Sequence, residues 1–281
     1  MTGVPATWLV GGRDRDITNG ALVGVLNVTP DSFSDGGELE EPRTAIEHGL
    51  EMIEQGALFV DIGGESTRPG AHPVDEASEL RRVMPVVEGL VAEGALVSVD
   101  TSKPEVASTA IEGGAAVIND VTGFTDPGMI DAVADSGCGV VVVHMKGTPI
   151  DMHLAPSYGD VVAEVEQFLL DRVAELEGAG VARRRMAIDP GIGFGKRAHH
   201  SLTLLRHLDR LAGHGLPVMI GTSRKGFLGK LVKGDSREAL DRATAVTTAL
   251  GFAAGARLFR VHDVAKSRDA LEIAGAIVAS Q

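Results

Sequence analysis

Polar side chains of the kind that bind small molecules follow every short apolar run of this sequence. In chain order the runs end in Asn27, Asp61, Asp100, Asn119 with Asp120, His144, Asp189, Ser223 with Arg224 and Lys225, and Arg260 with His262. Any one of them has an ordinary interpretation as a helix cap or a turn residue, and we assign Asp120 to that class. Their recurrence after every run predicts instead that they share one site.

Two kinds of binding chemistry fit this set. Asp100, Asn119 and Asp189 can hydrogen-bond a flat heterocycle that carries ring N–H and amino donors and a carbonyl acceptor. Cations lie at or just beyond the same run ends, namely Arg68, Arg224, Lys225, Arg260 and His262. Such cations bind phosphate groups. A divalent metal held by the carboxylates is the alternative, although the histidines do not pair at metal-binding spacing.

The elements that must position these residues can be read from the apolar pattern. Strands are predicted near residues 22–28, 58–62, 96–100, 116–120, 140–145, 186–189, 217–222 and 257–262. Amphipathic segments lie between and after them, at 42–55, 76–93, 104–112, 128–136, 160–178, 199–213, 237–254 and 264–278. Eight strand–helix units are typical of an α/β protein of the (β/α)8 TIM-barrel class, whose active site lies at the C-terminal ends of the strands. A doubly wound sheet is the alternative, but no Gly-rich dinucleotide motif follows the first strand.

The first 20 residues precede the barrel. The segment WLVGGRDRDIT reads as two short strands around Gly11 and Gly12, which predicts a β-hairpin over the N-terminal mouth of the barrel. No Pro-rich linker or low-complexity segment divides the chain, so we expect residues 1–281 to form a single domain.

Composition excludes several classes of function. The 281 residues carry a net charge of −13, which argues against nucleic acid or anionic membrane as a partner. No run approaches the roughly 20 apolar residues of a membrane helix, and no leader pattern is seen, so we expect a soluble, cytoplasmic protein. Cys138 is the only cysteine, which excludes an intrachain disulfide.

Two loops are longer than the usual connection between a strand and a helix. Residues 27–37, NVTPDSFSDGG, and residues 63–71, GGESTRPGA, are polar and rich in glycine. Loops of this kind over a barrel mouth are often lids that close on the substrate.

The strand-end motifs closely resemble, in order, those of the dihydropteroate synthases. They are NVTPDSFSDGG, DIGGESTRPGA, VDTSKP, INDVTG, HMKGTP, DPGIGFGK, GTSRKGFLG and RVHDV, and the resemblance covers about residues 20–275. DPG or VHD alone would be weak evidence, whereas eight motifs in register are strong. The resemblance implies an enzyme that joins a pterin methyl pyrophosphate to 4-aminobenzoate in folate synthesis.

The resemblance also implies residue roles. The pterin would be bound by Asp100, Asn119, Asp189 and Lys225, with Arg260 against its face and Val121, Met145, Phe194 and Gly221 lining the pocket. The pyrophosphate would be bound by Asn27, Arg260 and His262, with Asn27 also holding Mg²⁺. The 4-aminobenzoate site would be formed by Phe33, Thr67, Arg68, Pro69, Ser223 and Lys225. Asp61, Ser66 and Arg224 complete the expected substrate-binding set.

The implied mechanism is dissociative. If the C–O bond breaks before the amine attacks, Asp100 and Asp189 would stabilise the pterin cation, while Mg²⁺, Arg260 and His262 would stabilise the leaving pyrophosphate. Closure of the two loops would exclude water from the cation.

Further expectations concern drug response, assembly and rival functions. Phe124 after INDVTG resembles an aromatic residue that obstructs sulfonamides in insensitive members of the family, although local packing is the simpler interpretation. A homodimer through the last helices is expected. The rival functions are a pterin-binding methyltransferase barrel, which would not need the cations at 223–225 and 260–262, and a non-catalytic pterin-binding homologue.

Overall fold

An apolar segment and a charged segment on the two sides of a Gly-Gly turn form a small antiparallel hairpin near the start of the chain. Strands β1 (Thr7–Val10) and β2 (Arg13–Asp16) pair across Gly11 and Gly12, whose positive φ angles of 57° and 72° suit the turn. The indole of Trp8 is buried, and its Nε1 donates to the carbonyl of Arg185 at 2.9 Å. The hairpin therefore covers the N-terminal mouth of the barrel, as predicted.

The apolar runs form eight parallel strands in a computed structural model that describes residues 4–29, 40–66, 70–152, 154 and 156–280. They are β3 (Ala21–Asn27), β4 (Ala57–Gly63), β5 (Val97–Asp100), β6 (Val117–Asp120), β7 (Gly139–Val143), β8 (Met186–Asp189), β9 (Met219–Ile220) and β10 (Leu258–Val261). Their order in the sheet is β8-β7-β6-β5-β4-β3-β10-β9. A parallel bridge between Ile188 and Val218 joins the two outer strands and completes the barrel. The predicted TIM barrel is confirmed.

Helices cover the outside of the barrel. They are α1 (Glu40–Glu54), α2 (Glu76–Ala92), α3 (Pro104–Glu112), α4 (Pro127–Ala134), α5 (Val161–Gly178), α6 (Ala198–Arg206), α7 (Leu208–Ala212), α8 (Gly226–Val232), α9 (Arg237–Ala253) and α10 (Val264–Ala279). Side chains of Asp75, Asp160, Ser236 and Asp263 accept backbone N–H groups at helix starts. Within the described ranges no helix is long and apolar enough to cross a membrane.

Two details of the helices differ from the sequence prediction. The segment predicted at 199–213 is divided into α6 and α7 at His207, whose φ and ψ of −112° and 28° are not helical. The short helix α8 was not predicted, because seven residues are too few to display a helical period.

The buried apolar side chains form two layers. Inside the barrel, Val23, Phe59, Val117, Val141 and Leu258 pack with the hairpin residues, including Trp8. The alternate residues of the same strands, such as Val60, Ile118 and Val142, pack outward against the helices. This alternation, with a period of two residues, decides which polar residue at a strand end faces the mouth.

Candidate active site

Toward the C-terminal ends of the strands, the residues that face the barrel interior change from apolar to polar. The positions two residues beyond Phe59, Val117 and Leu258 are occupied by Asp61, Asn119 and Arg260. Asp189 follows the interior Ala187 in the same way. The strands thus fill the barrel interior with apolar side chains and place a set of hydrogen-bonding groups at its C-terminal mouth.

Arg260 is the centre of this set. Its Nε donates to Oδ2 of Asp61 at 2.6 Å, and its Nη2 donates to Oδ2 of Asp100 at 2.7 Å. Burial raises the pKa of Asp100 to about 7, although the guanidinium of Arg260 opposes that rise. The pKa of Arg260 is itself raised, because the two carboxylates outweigh the effect of burial. Arg260 therefore stays charged, whereas Asp100 can change its charge near neutral pH.

Within the described part of the chain, only one end of the Asn119 side-chain amide is hydrogen-bonded. Its Nδ2 donates to Oδ2 of Asp61 at 3.3 Å, which fixes the amide with its oxygen on the other side. Among the described residues nothing donates to Oδ1, and that atom is buried. A buried acceptor without a donor is costly, so this oxygen is placed to receive an N–H group of a ligand.

Asp189 is held by its own loop. Its Oδ1 accepts the N–H of Gly191 at 2.6 Å, and burial raises its pKa to about 6. Gly191 has φ of 64°, and a Cβ there would lie 1.8 Å from the carbonyl oxygen of His144. Only glycine fits this turn, which aims the Asp189 carboxyl at the mouth.

The side chain of Lys225 extends toward the mouth beside Phe194 and Gly193. Its ammonium lies 3.9 Å from the ring centroid of Phe194, a distance suited to a cation–π contact. Its Cδ lies 3.1 Å from the position that a Cβ on Gly193 would occupy. Burial lowers the pKa of Lys225 to about 8, and the charge of Arg260 lowers it further in the same direction.

Ser223 and Arg224 follow the same strand but point in different directions. Ser223 Oγ contacts His262, accepting its backbone N–H at 3.1 Å and lying 2.9 Å from its Nδ1. Arg224 has φ of 55°, and its guanidinium donates to both oxygens of Asp241 on α9 at 2.7 and 3.0 Å. The structure thus brings Ser223 and His262 together. Arg224 forms an ion pair with Asp241 of α9 and does not join the residues around Arg260.

The predicted lining residues surround these polar groups. Val121 and Met145 pack at the top of the interior apolar layer together with Phe194. Gly221 lies beside Arg260, since a Cβ there would be 3.8 Å from the arginine Cβ. Phe33, Thr67, Arg68 and Pro69 lie outside the described residues.

Asn27 ends β3, the strand next to that of Arg260. Its Oδ1 would be 3.5 Å from a Cβ on Gly63. Across the described part of the chain, no three His, Cys, Asp or Glu side chains are grouped as a metal site. A single amide oxygen suits an ion such as Mg²⁺, which keeps several waters and is commonly bound together with substrate phosphates.

The second loop begins in a partly buried group of charged side chains. Lys103 pairs with Glu65 and with Glu79 of α2, and Glu65 also accepts the N–H of Val74 at 3.2 Å. Ser66 follows directly, at the edge of the described segment. These contacts fix the described base of the loop at Glu65.

Two residues near the mouth were not predicted from the sequence. Ser98 donates to Oδ1 of Asp61 at 2.5 Å and completes the hydrogen bonding of that carboxylate. It precedes Asp100 by two positions, so the strand alternation was the signal that could have revealed it. Lys196 lies within the DPGIGFGK motif but was given no role; it is buried behind Asp189.

Phe124 does not obstruct the mouth. Its side chain is fully buried in the outer apolar layer together with Val106 and Met129. Asp120 accepts the backbone N–H of Phe124 at 2.7 Å and that of Thr122 at 2.8 Å, so Asp120 has the structural role assigned to it from the sequence. This packing gives the obstruction hypothesis for Phe124 no support, because position 124 faces the helices, and the response to sulfonamides stays a prediction.

Comparison with known proteins identifies close relatives. Residues 23–262 match the family model described as pterin binding enzyme. The dihydropteroate synthase of Mycobacterium leprae is 46% identical over 265 residues, which cover 91% of this chain and 92% of that protein. A structure of Xanthomonas albilineans dihydropteroate synthase with 4-aminobenzoic acid is 46% identical, covers 98% of both chains and superposes with a TM-score of 0.91. A structure of the same enzyme with 7,8-dihydropteroate, covering 98% of this chain and 99% of that one, gives 40% identity and a TM-score of 0.86.

Proposed function

The chain belongs to the dihydropteroate synthase family, and we propose that its barrel mouth carries out the reaction of that family with the residues described above. The reaction condenses 6-hydroxymethyl-7,8-dihydropterin pyrophosphate with 4-aminobenzoate and gives 7,8-dihydropteroate and pyrophosphate. Dihydropteroate synthases with bound 4-aminobenzoic acid and bound dihydropteroate share this fold.

One observation carries the assignment of the pterin site. Asp100 and Asp189 both lie close enough to Lys225 to act on its charge, Asn119 joins them through Asp61 and Arg260, and the Oδ1 atom of Asn119 lacks a donor among the described residues. A pterin ring offers N–H and amino donors beside a carbonyl, which complements two carboxylates, an amide and the ammonium of Lys225. Val121, Met145 and Gly221 would contact the flat faces and edges of the ring.

The reaction requires both negatively and positively charged groups of the protein, because opposite charges develop on the pterin and on the pyrophosphate. The methylene C–O bond breaks with its electron pair on the pyrophosphate, the amine nitrogen of 4-aminobenzoate bonds to the methylene carbon, and the amine proton is lost to solvent. In a dissociative order, positive charge on the pterin is stabilised by Asp100 and Asp189. The aryl amine is already nucleophilic, so no strong general base is required.

The leaving group is assigned to the strands β10 and β3. Arg260 lies on β10, His262 directly follows that strand and Asn27 ends the neighbouring strand β3, so these residues can bind the pyrophosphate from one side. Asn27 is the residue that would hold Mg²⁺, and the ion would neutralise charge on the departing pyrophosphate.

The second substrate is assigned to the opposite side of Lys225. Ser223 and Lys225 form the described part of that site, and Phe33, Ser66, Thr67, Arg68 and Pro69 are expected to complete it from the two loops. Arg224 is expected to act through Asp241, which holds the backbone between its two neighbours.

The test of the function is release of pyrophosphate from pterin methyl pyrophosphate by the purified protein with Mg²⁺ and 4-aminobenzoate, with the product identified by mass. We expect 7,8-dihydropteroate, and we expect Asp100→Ala to abolish its formation. Pterin binding without product would favour the non-catalytic homologue. Methyl transfer to a corrinoid protein would favour the methyltransferase barrel.

The activity is expected to depend on pH with a narrow optimum. Asp100 must be ionised to stabilise the pterin cation, which requires a pH above about 7 in the free enzyme. Lys225 must be protonated to donate, which requires a pH below about 8. The value of kcat/KM for the pterin substrate should therefore rise toward pH 7, with Asp189 contributing near pH 6, and fall beyond pH 8. A flat profile from pH 5.5 to 9 would contradict these roles.

Sulfonamides are expected to inhibit this enzyme in competition with 4-aminobenzoate. Because Phe124 packs in the outer layer, we expect it not to restrict the 4-aminobenzoate site. The measurement is the inhibition constant of a simple sulfonamide at several 4-aminobenzoate concentrations, with Phe124→Leu as the control. A gain of sensitivity of about tenfold or more in Phe124→Leu would reinstate the obstruction hypothesis.

A homodimer through α9 and α10 is also proposed. Val246, Leu250, Ile273 and Ile277 of these helices are large apolar residues with more than half of their surface exposed. Sedimentation of the protein should give twice the monomer mass, and Leu250→Glu with Ile277→Glu should reduce it to that of a monomer.

The cytoplasmic location expected from the sequence remains a prediction.

A further inference from the structure

Lys196 is a buried lysine that connects two loops of the barrel mouth. Its ammonium lies 2.8 Å from Nδ1 of His144, 3.2 Å from the carbonyl oxygen of the same residue and 3.0 Å from the carbonyl oxygen of Phe194. Three acceptors match the three N–H groups of an ammonium. Burial lowers the pKa of Lys196 to about 7 and that of His144 to about 3, so the imidazole is neutral and can accept.

The two loops are in backbone contact around this lysine. A Cβ on Gly195 would lie 2.1 Å from the carbonyl oxygen of Lys146, and a Cβ on Gly191 would lie 1.8 Å from that of His144. The hydroxyl of Tyr158 donates to the carbonyl of Gly195 at 2.8 Å. The loop after β8 therefore packs closely against the loop after β7. The carbonyl groups of His144 and Phe194 come close together there, and Lys196 donates to both.

Lys196 holds a residue that contacts the proposed machinery directly. Phe194 accepts from Lys196 through its carbonyl, while its ring lies under the ammonium of Lys225. Met145, which lines the pocket, follows His144 directly. A shift of the Phe194 backbone would move the surface against which Lys225 and the pterin pack.

We propose that Lys196, with His144 as its side-chain partner, is a positioning residue for the pterin end of the active site. It binds the loops after β7 and β8 together and so fixes Phe194 against Lys225. The inference rests on the proposed function only in naming the pterin as the ligand. His144, which faces outward against Phe168 of α5, takes part through Lys196 rather than by contact with substrate.

The decisive measurement is the dissociation constant of pterin methyl pyrophosphate without 4-aminobenzoate, together with the KM of each substrate. Lys196→Met removes the donor and leaves three buried acceptors unsatisfied, so we expect the pterin dissociation constant and KM to rise about tenfold or more. A purely structural role would reduce the amount of folded enzyme, which lowers the maximal rate and leaves the dissociation constant and both KM values unchanged.

Matched variants sharpen the test. Lys146→Met removes a half-exposed lysine from the loop after β7, one that contacts the carbonyl of Ser157, and should change pterin affinity less than about threefold. His144→Gln keeps an acceptor for Lys196 and should bind pterin nearly normally, whereas His144→Leu should weaken binding.

The outcomes separate this inference from the function itself. A folded Lys196→Met with unchanged pterin affinity, or an equal loss in Lys146→Met, would overturn the positioning role. If Lys196→Met does not fold, weaker binding in His144→Leu than in His144→Gln supports the role, and equal binding overturns it. Wild-type protein that binds pterin but releases no pyrophosphate would refute the synthase function and leave the affinity test intact.

Discussion

Lys225→Met is expected to lower kcat/KM for the pterin substrate by about 10²- to 10³-fold, the range seen when one preorganised donor is removed from a catalytic site. Methionine retains an unbranched apolar chain that can occupy the path beside Gly193 and Phe194, so the pocket should keep its shape. What is lost is the ammonium, which we propose donates to the pterin and forms part of the 4-aminobenzoate site. The loss should therefore appear in kcat as well as in both KM values.

The pH profile gives an independent check of this role. We assign the expected fall in activity above pH 8 to Lys225, whose pKa is about 8. Lys225→Arg should therefore retain measurable activity without that fall, because a guanidinium does not titrate in this range. Lys230→Met, which removes an exposed lysine of α8 one helical turn away, should behave like wild type. Unchanged kinetics in Lys225→Met would show that the ammonium has no part in catalysis.

The positions of the site residues along the chain were predictable because all strands of the barrel are parallel. In a parallel barrel every strand runs in the same direction, so the last residue of each run must lie at one mouth. Asp61, Asp100, Asn119, Asp189 and Arg260 were found in this way, and the structure brings all five together. Their common position follows from topology and does not depend on details of packing.

The direction of each side chain was harder to predict. Strands buried on both faces are apolar at consecutive positions, so the sequence does not display which residues point inward. Ser98 was overlooked although it faces the mouth, and Phe124 was considered as an obstruction at the mouth although it faces the helices. Beyond the strand ends the alternation no longer applies, which is why the neighbours Ser223 and Arg224 could turn to different partners.

Arg260→Met should have the other large effect, because it removes the charge that pairs with two carboxylates and that we propose binds the leaving pyrophosphate. Asp61 and Asp100 would remain buried without their cation, and loss of one partner from a buried ion pair costs about 3–5 kcal/mol. The pKa of Asp100 would rise above its present value of about 7, since the guanidinium is the main group that opposes the effect of burial. We expect a lower free energy of unfolding and a loss of kcat/KM of about 10²-fold or more.

Stability and catalysis can be separated with two further variants. Arg185→Met removes another buried arginine, one that donates to the carbonyls of Val133 and Cys138 at the opposite end of the barrel, and should lower stability with little effect on kcat/KM. Arg260→Met combined with Asp61→Asn removes one of the two uncompensated carboxylates. The double variant should therefore regain part of the free energy of unfolding while its activity stays low. Recovery of activity along with stability would mean that Arg260 only balances the charge of Asp61 and does not bind the leaving pyrophosphate.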